Sequence, residues 1–220
     1  MDLAALRLSF ALSALTTLAL LVVGLPLAHW LTTTRFRGKF LVEAVVALPL
    51  VLPPTVLGFY LLLAFGPRSF LGRGFSAVTG HTLAFSFEGL LLASILYSLP
   101  FAVQPFAAAL ARVDRQLLEA SYTLGESRLR TFRRVSLPLA LPGVVAGAVL
   151  AFAHTLGEFG VVLMVGGNLP GVTRTLSISI FEAVEQLDYA TAARTSLLLL
   201  AISFSVLVVT YALQRRSLLG

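Results

Sequence analysis

Five stretches of this sequence, residues 8–31, 40–65, 89–111, 137–165 and 195–213, are apolar over at least the ~20 residues a helix needs to cross the hydrocarbon core of a bilayer. A segment in lipid must satisfy its own backbone hydrogen bonds, and at these lengths only helix does so. The chain is therefore expected to be an all-α integral membrane protein, a single transmembrane domain over residues 1–220. Its composition agrees, with 58% hydrophobic and 12% charged residues. The first stretch is too long for a secretory leader, and Asp2 stands where a basic start belongs, so it reads as a retained span. A shorter apolar piece at 176–187 leaves a sixth crossing open.

The sixteen basic residues orient these spans. With the amino terminus outside, Arg35, Arg37, Lys39, Arg112, Arg115, Arg128, Arg130, Arg133, Arg134, Arg215 and Arg216 face the cytoplasm, and Arg7, Arg68, Arg73, Arg174 and Arg194 do not. Eleven against five is the bias that retains positive loops inside. An odd span count then leaves the carboxyl terminus in the cytoplasm. The pI near 10.5 belongs to this bias and to contact with the lipid bilayer, and no nucleic acid is expected as a partner.

The loop between the third and fourth spans, residues 112–138, is the most basic part of the chain. Asp114 suits the cap of a short helix carrying Leu117, Leu118 and Tyr122, and Gly125 suits the left-handed residue that ends it. Ser127 suits the cap of a second helix with Leu129 and Phe132, and Pro138 is tolerated in the first turn of the span that follows. Arg128, Arg130, Arg133 and Arg134 serve equally well as lipid anchors or as partner contacts. Neither reading accounts for the spacing Glu119-Ala120-Ser121, three residues, Gly125, nine residues, Val135, one residue, Leu137-Pro138.

That spacing resembles the loop of permease subunits of binding-protein-dependent ABC importers, Glu-Ala-Ala-x3-Gly-x9-Ile-x-Leu-Pro, from which Ser121 and Val135 depart mildly. The resemblance implies the type I importer permease fold. It also implies that Glu119, Ala120, Ser121, Gly125, Leu137 and Pro138 belong to coupling helices seated in a groove of a separate cytoplasmic ATP-binding subunit. Residues 48–60, 155–160 and 166–175 are similar to the molybdate group within that family, and sulfate and tungstate permeases share part of the Gly157-Glu158-Phe159-Gly160 region. Membership implies a homodimer, two ATP-binding subunits, an external binding protein that delivers the oxyanion, and a bacterial-type inner membrane.

Other residues bear on a pathway. Pro49, Pro53 and Pro54 remove backbone donors within the second span and bend it, either for packing or to form a cavity or moving element. Gly143, Gly147, Ala151 and Thr155 form a ridge of small residues at four-residue spacing, suited to close helix contact. Glu158 falls ~31 Å above Leu137 at ~1.5 Å per residue, at the outer end of the fourth span, where full burial is not required of it. With His154 one turn below, it reads as an outer gate or as a solvated helix end. Residues 175–187 form an amphipathic external helix capped by Thr175. No lysine or arginine lies deep in a span, which leaves selectivity to the external partner.

Enzymatic readings find little support. Gly38-Lys39 is followed by Phe40 and lacks the upstream glycine of a phosphate-binding loop, so ATP hydrolysis belongs elsewhere. The absence of cysteine removes disulfides and thiolate chemistry, and His29, His81 and His154 lie in different segments without metal-ligand spacing. No metal or cofactor is expected. The competing reading is a proton-coupled secondary anion carrier that uses Glu158 and His154 as a relay.

Overall fold

The computed structural model describes residues 2–218, with side chains through Val208 and at Thr210 and Tyr211; Arg215 and Arg216 lie outside the side chains described. All regular structure among the described residues is helical. The first helix, α1 (Leu3–Thr33), begins at Asp2, whose carboxylate accepts from the backbone N–H groups of Ala4 and Ala5 at 3.0 Å. Its buried face runs through Ser9, Ser13, Thr16, Leu20, Gly24 and Ala28. Mostly small residues at helical spacing allow close approach of neighbours, and Ser13 satisfies its hydroxyl on the Ser9 carbonyl one turn back.

The second span is broken. Helices α2 (Lys39–Val51) and α3 (Pro54–Phe65) meet at 113° around Leu52 and Pro53. Pro53 has no N–H to continue the helix and forces Leu52 into extended backbone. Pro49 is accommodated inside α2 and buried, so it does not form the corner. A short helix α4 (Phe70–Thr79) follows, ended by left-handed Gly80.

Three helices then complete the centre. The long α5 (Phe87–Ala111) packs against α1 and against the fourth span, and all three share a core that includes Leu20, Val103, Phe106 and Val144. Between the third and fourth spans lie α6 (Arg115–Thr123), α7 (Arg128–Thr131) and a π-helical turn at Phe132–Ser136. The fourth span is α8 (Leu137–Gly157), followed after a break by α9 (Gly160–Gly166).

Helix α10 (Leu176–Glu185) is capped by Thr175 and packs on α1 and on α11 (Tyr189–Leu218). At ten residues it is too short to cross a membrane. Among the described residues four helices are long and apolar enough to span, five if the bent α2–α3 pair counts as one crossing. Exposed Val22, Val45, Val51, Leu197, Leu200 and Phe204 give the outer surface the apolar character that lipid requires.

Candidate functional site

The arm between α5 and α8 is built by local signals. Asp114 accepts from the Gln116 N–H at 2.8 Å to start α6, and Ser127 accepts from the Arg130 N–H to start α7. At the corner Gly125 adopts φ +81°, its N–H donates to the Tyr122 carbonyl at 3.0 Å, and Glu126 N–H reaches back to the Ser121 carbonyl at 3.2 Å. These paired bonds satisfy the last carbonyls of α6 and turn the chain sharply. Ser121, the departure from the family pattern, is buried and shares a 2.9 Å hydrogen bond with Thr131, so it braces α6 against α7.

Glu119 and Ala120 are exposed, as are the apolar side chains of Leu117, Leu124 and Leu129. An arm tied down internally while presenting leucines to solvent is a preformed surface. Val135, Ser136 and Leu137 carry it into the span: the Leu137 N–H donates to the Phe132 carbonyl, adding one residue to the turn without interrupting the helix from Arg128 to Gly157. Pro138 follows directly on this widened turn as the second residue of α8.

A second constellation forms where the two broken spans meet. A Cβ on Gly160, the first residue of α9, would lie 2.7 Å from the Pro54 side chain at the start of α3. One on Gly58 would lie 2.7 Å from the Met164 side chain. The breaks after Leu52 and after Gly157 therefore face each other, with Pro53 and Pro54 exposed on one side of the junction.

Glu158 sits at this junction and is only 5% exposed, far from the solvated helix end that is one of the two sequence readings. Its backbone carbonyl accepts from the Ser177 hydroxyl of α10. Neither carboxylate oxygen makes a hydrogen bond of good geometry, and the buried Ser94 hydroxyl of α5 is the polar group that lies beside it. His154 is not brought to Glu158: it stacks on Phe101 with ring centroids 3.7 Å apart and hydrogen-bonds Ser98 at 3.0 Å. Ser98 also meets Thr155 at 2.8 Å.

The ridge of small residues faces α5. A Cβ on Gly143 would approach Ala109 to 2.4 Å, and one on Gly147 would meet Phe106 at 2.8 Å. Ala151 and Thr155 continue this buried seam toward Glu158. The close contact expected from the spacing is thus made within the chain.

Sequence reasoning missed the ties that anchor α10. Ser9 of α1 accepts from the Leu176 N–H at 2.8 Å, and Arg174 reaches Asn168 at 2.6 Å and Glu182 at 3.2 Å. Nothing local in the sequence signals the bond between Ser9 and Leu176, 167 residues apart.

This architecture is that of an ABC importer permease. A chain of the MetNI methionine ABC transporter, solved in an inward-facing conformation, matches it with a TM-score of 0.77 over 98% of this chain and 95% of that one, at 18% identity. The family model for the binding-protein-dependent transport system inner membrane component matches residues 20–218, and the chain belongs to that family. Among its relatives, the molybdenum transport system permease protein ModB of Azotobacter vinelandii is 50% identical over 97% of this chain and 95% of its own length. The ModB of Escherichia coli K12 is 39% identical over 97% and 93%. The protein is a multi-pass inner-membrane permease subunit, a transport component rather than an enzyme.

Proposed function

We propose that two copies of this chain form the membrane pathway of a molybdate importer, driven by two cytoplasmic ATP-binding subunits and supplied by an external binding protein. The preformed arm from Asp114 to Pro138 carries this reading, since its leucines are exposed and its Gly125 corner fixes the direction of α7. Glu119 and Ala120 meet the ATPase, Ser121 and Gly125 hold the arm's shape, and Leu137 and Pro138 join it to the span. At the other end, Pro53, Pro54 and Glu158 form the outer gate, with Pro49 stiffening the adjoining half-helix. Gly147, Ala151 and Thr155 form the seam along which α8 and α5 move together. The amino terminus lies outside and the carboxyl terminus in the cytoplasm.

Reconstitution tests the reading directly. Uptake of labelled molybdate into proteoliposomes should require internal ATP, the ATP-binding subunit and external binding protein together. Tungstate should compete, and sulfate more weakly. Uptake that follows a proton gradient without ATP would overturn the proposal in favour of a secondary carrier. Because the chain has no cysteine, single reporters settle orientation: Arg130→Cys and Ser217→Cys should label only from the cytoplasm, and Gly72→Cys and Glu185→Cys only from outside. Labelling of Arg130→Cys and Gly72→Cys from one side would refute the five-span arrangement.

A further inference from the structure

A cleft of about 1230 Å³ opens between the inner end of α1 and the coupling arm. Its wall includes Trp30 and Arg35 from the end of α1 and the loop beyond, Arg115 and Tyr122 from α6, Arg128 from α7 and Phe132 from the π turn. The one carboxylate on the wall, Glu126, is already engaged by Arg130 at 3.0 Å and Arg134 at 3.1 Å, and neither arginine lines the cleft. Arg35 and Arg128 take part in no ion pair among the described residues, and Arg115 has only a solvent-exposed contact of 3.5 Å with Glu119. The wall thus combines uncommitted guanidinium groups with aromatic surface. Its exposed neighbours Leu117, Leu124 and Leu129, assigned above to the ATPase-facing surface, do not line it.

We propose that this cleft binds the phosphate-bearing headgroup of an anionic phospholipid. The inner end of a span is where headgroup phosphates lie, and a tryptophan there marks the interface. Basic pockets between helices on the cytoplasmic side recognise such headgroups, while guanidinium donors match phosphate oxygens in pairs. A freely soluble anion would use the arginines alone and leave the exposed Trp30 and Tyr122 surfaces without an occupant. A lipid occupies both, with its phosphate on Arg35 and Arg128 and its glycerol and first methylenes on the rings. The bound lipid would tie α1 to α6 and α7. The inference stands apart from the proposed substrate and needs no ATPase.

Trp30 is the only tryptophan of the chain, so its emission reports this cleft alone. The full-length permease would be reconstituted in phosphatidylcholine vesicles containing equal mole fractions of brominated phosphatidylglycerol or brominated phosphatidylcholine. Quenching by the anionic lipid should exceed that by the neutral one about twofold, the excess reflecting local enrichment by charge. The excess should vanish in Arg35→Gln/Arg128→Gln and persist in Arg133→Gln, which keeps the wall intact. Arg35→Lys/Arg128→Lys should retain part of it, which guards against a glutamine variant that fails to fold. Equal quenching by the two lipids in the wild-type chain would overturn the proposal. So would loss of the excess on adding millimolar inorganic phosphate, which would assign the cleft to a free anion.

Discussion

The coupling arm and the junction of broken spans solve opposite problems. In the arm, the capping and bracing side chains find their partners internally, and leucines are left in the open. At the junction, apolar groups pack to contact distance while a carboxylate and a serine hydroxyl are buried with no partner. The first arrangement is stable alone and incomplete on its surface. The second is tightly packed and costly inside, because buried polar groups without hydrogen bonds weaken the state that contains them. A region with an unsatisfied surface calls for a partner, and a region with an unsatisfied interior for a second conformation.

Substitutions can break that contrast, and the largest effect is expected in the seam beneath the junction. Gly147→Leu places a side chain where even a Cβ meets Phe106 at 2.8 Å. Overpacking of this kind costs ~1–3 kcal/mol or more, so the thermal midpoint should drop and uptake should be lost. Val145→Leu, on an exposed position of the same helix, should change neither. Equal tolerance of both would remove the seam from the argument for coupled movement.

Next comes the arm's corner. Gly125→Val meets no neighbouring atom, but its φ of +81° imposes ~1–2 kcal/mol on a residue with a side chain. With α7 redirected, uptake should fall about tenfold or more while the permease still inserts. Co-purification of a full complement of ATPase with normal uptake would refute the assignment of the arm.

At the junction, Glu158→Gln keeps the volume and replaces the buried carboxyl group by a neutral amide. The variant should be more stable by a few degrees, since an amide is less costly to bury than a carboxylate, and its uptake should fall several-fold with assembly intact. A lower midpoint would instead show that the carboxylate has a partner holding it. The smallest effect belongs to Glu119→Ala, which removes one exposed side chain and its weak contact with Arg115. Uptake should drop only about two- to threefold, in line with the modest worth of exposed ionic contacts.

Much of this was legible because the signals are local. Caps at Asp114, Ser127 and Thr175 and the left-handed Gly125 depend on side chains within a few residues of the backbone they serve, and span lengths depend on hydrophobicity alone. The helix end at Glu158 was legible from the rise along the span, but the separate short helix α9 was not, since the apolar run continues to residue 165. The burial of Glu158 depends on α10, which arrives nineteen residues later to engage its carbonyl through Ser177. The ridge announced close contact without naming α5 as its partner. Likewise the three prolines announced a bend, but only the structure separates Pro49, absorbed within α2, from Pro53 at the corner.

The uninterrupted helix from Arg128 to Gly157 has a mechanical consequence. It has one end in the arm and the other beside Glu158. Thirty residues at ~1.5 Å make a rod ~45 Å long, and a tilt of ~5° about its inner end swings the outer tip by ~4 Å, more than a hydrogen bond's length. No relay of side chains is needed between the two ends. A nudge to Arg128 on one side of the membrane would reach the tip as leverage.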